Sequence, residues 1–232
     1  MYPTSARERE HHYRVLASLY LRPPSDALLG MIRDGSILSA FAVTPGGEDP
    51  VSCGDRPTPL ADLEEFVTQA RGLPDLEAEL AAEQTALFVL PSGVIPHEAF
   101  YLDSEQRLGG RVTIAVEQFY TKAGISMLDH CVEMPDHLGL ELEFMAALCR
   151  LEGDFEEAPD PEALQRCVEL QRTFVGEHLA RWAPACCENV IRQTRYGLYR
   201  AIADFTREFV QGERIHLAVR RAQAAGPAEL SP

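Results

Sequence analysis

Pro135-Asp136-His137-Leu138-Gly139-Leu140-Glu141-Leu142-Glu143-Phe144-Met145 is the stretch that decides how the rest of the chain is read. Proline is favoured just inside a helix start, where its missing N–H would be unpaired anyway, and an aspartate in the first turn meets the positive end of the helix dipole. Pro135 and Asp136 therefore predict a helix N-terminus. Beyond them Leu138, Leu140, Leu142, Phe144, Met145, Leu148 and Leu151 cover most of the helical circumference, the pattern of a helix buried on several sides. This helix is expected at the centre of the fold, entered through a group of polar side chains: Asp136, His137, Glu141 and Glu143.

Outward from it, helical periodicity recurs and strand alternation does not. Ser5 is placed to cap a first helix carrying Tyr13, Leu16, Leu19 and Tyr20, Pro23-Pro24 stops it, and Ser25 caps a second. Residues 42–59, rich in Pro, Gly, Asp and Ser, read as a mobile loop. Helices follow over 60–72 and from Pro74 to Pro91, the second with Leu76, Leu80, Leu87 and Phe88 inward. Residues 91–108 hold too many breakers for a helix and too many large apolar groups for an idle loop, so they are expected to pack down or bind something. Gly109-Gly110 precedes another helix, closed by Gly124. A long helix from Pro161 through Trp182 should be interrupted at Pro184, before a last one through Phe209 and a disordered tail at 222–232. The fold class read from this pattern is all-α, one domain over 1–221, a single bundle of roughly nine or ten helices.

Composition narrows the function. At 232 residues and 46% hydrophobic, the chain can bury a full core. Its net charge of −15 disfavours nucleic acid or an anionic membrane as partner and favours a cationic one. The first ten residues lack an apolar signal region, and no apolar run reaches the roughly 20 residues that span a bilayer, so a cytoplasmic location is expected. The six cysteines form no C-x-x-C pair and sit mostly in apolar helical patterns, which reads as reduced core thiols. Nucleotide-binding glycine motifs, the phosphate loop and the nucleophile elbow are all absent, and each needs a strand–turn–helix. His137 and Glu141 share a helix face, but a metal site needs further ligands from elsewhere, and His97-Glu98 is the one obvious second group. A capping and hydrogen-bonding role for His137 is the simpler reading. No catalytic residue, metal site or cofactor is assigned.

Several motifs together resemble the TorD/DmsD/NarJ family of molybdoenzyme-specific assembly chaperones. They are Glu83-x-x-x-Leu87-Phe88 followed by Pro91, Pro96-x-Glu98-x-x-Tyr101, Glu133 with Pro135-Asp136-His137-Leu138-Gly139-x-Glu141-x-Glu143-Phe144-Met145, and Phe174-x-x-x-His178-Leu179-x-x-Trp182. The resemblance covers residues 10–215, with the motifs in family order. It implies a TorD-like helical bundle and a cytoplasmic, non-enzymatic protein. Its partner would be the catalytic subunit of a molybdopterin oxidoreductase, bound through its twin-arginine signal peptide or as apoenzyme until cofactor insertion, which prevents premature export. Some relatives exchange helical halves to dimerise, so both monomer and domain-swapped dimer are compatible with it. Carried over by position, the family's peptide-binding surface falls on Pro96, Glu98 and Tyr101 and on Glu133, Pro135, Asp136 and His137, with Leu87 and Phe88 beside them. Met134, between Glu133 and Pro135, departs from the more usual Glu-Pro step.

A twin-arginine leader presents two guanidinium groups followed by an apolar run, so its receptor should combine carboxylates with an apolar groove. Glu98, Glu133 and Asp136 are the expected carboxylates; Leu87, Phe88, Ile95, Phe100 and Tyr101 are the expected apolar wall. Exposed ion pairs contribute about 0.2–1 kcal/mol and a buried leucine-sized side chain about 1.5–3 kcal/mol, so the carboxylates should select and the apolar wall should bind. The plainer reading makes Glu83, Glu141 and Glu143 helix-face carboxylates paired with arginines, and Leu87, Phe88, Phe144 and Trp182 core. From another class, a regulatory protein that binds a nucleotide or a molybdenum-cofactor intermediate would also use an acidic pocket around His137.

Overall fold

In a computed structural model of the chain, residues 5–41, 59–128 and 131–224 are described. The helices run in the order α1 (Ala6–Leu21), α2 (Asp26–Asp34), α3 (Ile37–Phe41), α4 (Pro59–Ala70), α5 (Leu76–Phe88), α6 (Glu98–Leu102), α7 (Arg111–Lys122), α8 (Leu138–Glu157), α9 (Pro161–Phe174), α10 (Ala180–Gln193) and α11 (Gly197–Ala224), with a π-helical turn at Val175–Leu179. The fold is all-α: among the described residues there is no strand, only one isolated antiparallel bridge between His97 and His137. No described helix is long and apolar enough to cross a membrane. Most of the expected loop at 42–59, and residues 225–232 of the expected tail, lie outside the described residues.

Local chemistry sets several of these boundaries as expected. Ser5 accepts from the Glu8 N–H, and the Glu8 carboxylate accepts from the Ser5 N–H, a reciprocal capping box. Ser25 caps α2 through the Leu28 N–H. α8 is the central helix. It lies along α1 on one side and α9 on another, while α11 packs on α10 and α4. Gly139 permits the closest approach of α1, since a Cβ there would fall 2.4 Å from Leu21 Cγ.

A buried polar network locks this arrangement. Arg9 is fully buried; it donates to Glu152 at 2.8 Å, to both Glu213 oxygens at 2.8 Å, and to Gln171. Tyr13 adds a hydrogen bond to Glu213, and Gln171 one to Glu152. Four helices, α1, α8, α9 and α11, are thereby tied through one guanidinium. Bidentate geometry and satisfied partners are what make such a buried charge tolerable.

Three expectations need correction. α8 starts at Leu138, so Pro135 and Asp136 precede the helix rather than open it. Residues 91–108 contain a short helix, α6, whose first N–H groups are satisfied from outside its own sequence by Asp136. Pro184 does not interrupt the C-terminal region: it lies inside α10, near its start, where the carbonyl it leaves unbonded belongs to Ala180, the first residue of that helix. The break comes at Thr194, which adopts an extended conformation. Glu83 holds that corner, accepting from Thr194 Oγ1 at 3.0 Å, Arg195 N at 2.6 Å and Arg195 Nε at 2.7 Å.

Candidate functional site

The segment 94–102 and the entrance to α8 are clasped by backbone. Glu98 N–H donates to the Asp136 carbonyl at 2.9 Å, and Leu138 N–H to the Pro96 carbonyl at 2.8 Å. Each helix start is then completed by a side chain. The Asp136 carboxylate accepts the Ala99 N–H at 3.0 Å, capping α6, while His137 Nδ1 accepts the Gly139 N–H at 3.0 Å, capping α8. His137 Nδ1 must be unprotonated to do so. Burial, reinforced by the neighbouring His97, depresses the His137 pKa to about 3, and the ring is therefore neutral. Burial alone would raise the Asp136 pKa, but His97, the Ala99 N–H and Thr113 outweigh it and hold the carboxyl below its ordinary range. His97 Nδ1 stands 3.6 Å from Asp136 Oδ1, too far for a hydrogen bond.

Behind this clasp lies a second buried cluster. Glu98 is 2% exposed, and both of its oxygens face His178 Nδ1, at 3.0 and 3.1 Å. Glu141 is fully buried; burial and the adjacent Glu98 carboxylate push its pKa well above the usual range. Trp182 Nε1 donates to Glu141 Oε2 at 3.1 Å. Tyr101 packs against Trp182, with ring centroids 5.5 Å apart and the planes tilted by 32°, and its hydroxyl accepts from Asn189. The distant motifs read from the sequence thus converge on one buried assembly of α6, α8, the π turn and α10.

Of the sequence-predicted site residues, Glu133 is exposed, Phe88, Tyr101 and Pro135 are partly buried, and Leu87, Pro96, Glu98, Asp136 and His137 are buried. Leu87 belongs to the core, and Phe88 packs against Tyr20 and Tyr199. Tyr120 fixes Pro135 by donating to its carbonyl at 2.8 Å. The expected acidic cluster therefore separates: Glu98 and Asp136 support the local architecture, and Glu133 alone of the three faces solvent.

Glu133 stands on the edge of an apolar groove of about 450 Å³ that the sequence reading did not assign. The end of α1, the segment following α7 and one face of α8 form it, with Leu21, Met127, Leu128, Val132, Leu140 and Phe144 among its lining. Leu128 is 68% exposed and Val132 94% exposed. Glu143 is a second carboxylate of the groove, 4.0 Å from Arg22. The missed signal was the pair of large apolar residues in the connection just before Pro135.

Among the described residues no group of three or more His, Cys, Asp or Glu side chains is placed to hold a metal ion. Cys186 and Cys187 are buried, and burial raises both thiols, Cys187 to about 12, far from a reactive thiolate.

The chain is similar to several known proteins. A family model described as the nitrate reductase delta subunit matches residues 54–188. The chaperone protein TorD of Vibrio cholerae serotype O1 (strain ATCC 39541) is 26% identical over 154 residues, covering 66% of this chain and 68% of the relative. TorD of Aliivibrio fischeri is 26% identical over 178 residues, covering 76% and 77%. A solved structure of a candidate redox enzyme maturation protein from Archaeoglobus fulgidus covers 88% of this chain and 93% of its own, with 20% identity and a TM-score of 0.46.

Proposed function

This chain belongs to the nitrate reductase delta subunit family, and we propose that it is a chaperone for the catalytic subunit of a molybdopterin oxidoreductase, whose twin-arginine leader it binds while the apoenzyme acquires its cofactor. The observation that carries this reading is the groove: an apolar trough with Glu133 and Glu143 at its margin, on a chain of net charge −15. An apolar run flanked by guanidinium groups is its chemical complement. Leu128, Val132, Leu140 and Phe144 take up the apolar run, and the two carboxylates set its register. Asp136, His137, Glu98, Pro96 and Pro135 act one step back, holding the α6 segment against the α8 entrance; Tyr101, Leu87 and Phe88 support the same scaffold. The TorD relatives, named as chaperones, support a non-enzymatic role.

Calorimetry of the full chain with the client's leader peptide tests this. Burying about 1.5–3 kcal/mol of apolar side chain at each position should make Leu128→Ser with Val132→Ser weaken binding more than Glu133→Gln with Glu143→Gln, since exposed ion pairs contribute about 0.2–1 kcal/mol. If the serine pair binds the peptide as well as the parent chain does, the groove is not the receptor.

A further inference from the structure

We propose that Arg22 is an internal competitor for the guanidinium groups of the leader, an inference that rests on the groove being the leader's receptor. It holds Glu143 while the groove is empty and yields it when a cationic segment is seated. Arg22 lines the groove and is the one base among the described residues that do so. It stands 4.0 Å from Glu143, with the arginine side chain 70% exposed and the glutamate 47%. That separation is within ionic reach and too long for a direct hydrogen bond. The pair attracts without locking, the property of a contact that an incoming ligand displaces.

The backbone fixes Arg22 at this rim. It ends α1 in an extended conformation, φ −157° and ψ 162°, and its N–H donates to the Ser18 carbonyl at 3.2 Å. Pro23 follows, and a residue before proline is kept out of the helical region. The end of α1 is in turn pressed against α8 at Gly139, where a Cβ would lie 2.4 Å from Leu21 Cγ. Glu143 comes four residues after Gly139 and so shares its face of α8. The close approach that Gly139 permits thus delivers Arg22 to Glu143 from a neighbouring helix.

The two carboxylates of the groove are therefore unequal. Glu133 is exposed and meets the first cation of the segment. Glu143 already faces a guanidinium, so the second cation exchanges one arginine for another. That exchange contributes little net affinity, because an exposed pair is lost for each one made. It also returns a partner to Glu143 when the segment leaves, which favours release, the step that a holding protein must complete. Among variants of one interface, affinity differences lie mostly in dissociation, so Arg22 acts chiefly on the rate of departure.

Calorimetry and stopped-flow dissociation with the full chain test the proposal. The probe is a synthetic peptide of two adjacent arginines followed by a leucine–alanine run, beside a counterpart with both arginines replaced by glutamine. Arg22→Gln should bind the twin-arginine peptide about two- to fivefold more tightly than the parent, the equivalent of one exposed ion pair, mostly through slower dissociation. The glutamine peptide should bind both chains alike. In a Glu143→Gln background the gain from Arg22→Gln should shrink, because no carboxylate is left to contest. The inference fails if Arg22→Gln binds the twin-arginine peptide no more tightly than the parent while Leu128→Ser with Val132→Ser still weakens binding, a result that leaves the groove reading intact. A gain of equal size with and without Glu143 also overturns it, since net charge alone would then be the cause. If the serine pair binds as well as the parent does, the groove reading itself falls and Arg22 has nothing to contest.

Discussion

Asp136 caps a helix that begins 38 positions before it: its carboxylate accepts the N–H of Ala99 at 3.0 Å, in the first turn of α6. The neighbouring His137 caps α8, the helix that follows directly. Two consecutive side chains thus terminate two helices distant in sequence, and the backbone bridge between His97 and His137 runs between them. The α6 segment is placed by α8 rather than by its own sequence.

Asp136→Ala should destabilise the fold by about 1–3 kcal/mol, the cost of a lost cap and an unsatisfied buried N–H. Asp136→Asn retains an acceptor for Ala99 and should cost less. The Asp136 pKa is depressed in the fold, so its electrostatic contribution is present above the unfolded carboxyl pKa and disappears as pH falls through the folded value. Urea denaturation of the two variants at neutral pH checks the order.

His137 gives the opposite acid signature to a histidine that gains a charged partner. Its folded pKa of about 3 lies below the ordinary value, so between those two the unfolded state binds the proton and the native state does not. Stability should therefore fall as pH drops from about 6.5, by about 2 kcal/mol at pH 5. His137→Asn preserves a good N-cap and removes the titration. Its stability should change less than the parent's between pH 7.5 and 5, and equal acid slopes would remove His137 from the account.

Glu141 should act in the other direction. Its pKa is raised by burial and by Glu98, so above the unfolded carboxyl pKa the native state binds a proton that the unfolded state does not, and stability declines as pH rises. Glu141→Gln keeps an oxygen for Trp182 Nε1 and carries no charge. Thermal denaturation should show the variant gaining on the parent from pH 5 to pH 8; a gain that is the same at both pH values would place its origin in packing instead.

Arg9→Met should cost about 3–5 kcal/mol, because it removes the buried cation that lies between Glu152 and Glu213 and leaves Glu152 only its ion pair with Arg220. Combining it with Glu213→Gln should cost less than the sum of the two single changes. A denaturant double-mutant cycle measures that coupling, and strict additivity would mean the two groups act independently.

The helical architecture was legible because its determinants are local. Ser5, Ser25, the apolar periodicity of α1, α5 and α8, and the glycines around α7 act within a turn or two of the chain. The errors share one cause. The sequence pattern reads α6 as loop and starts α8 at Pro135 because backbone N–H groups at each helix start find acceptors in the other's segment, Asp136 for Glu98 and Ala99 and Pro96 for Leu138. Pro184 reads as a break, although the corner is made at Thr194 by Glu83 on α5.

The candidate site was legible in its residue types and not in their exposure. By itself the sequence determined an all-α chain and the set of motif residues that converge, since periodicity and capping depend on neighbours in the chain. Tertiary structure alone decided that Glu98, Asp136 and Glu141 face inward while Glu133 faces a groove, and that Arg22 stands beside Glu143 at its margin. A carboxylate's role depends on whether water or protein surrounds it, and that is fixed by which helices pack across it, not by the residues beside it in the chain.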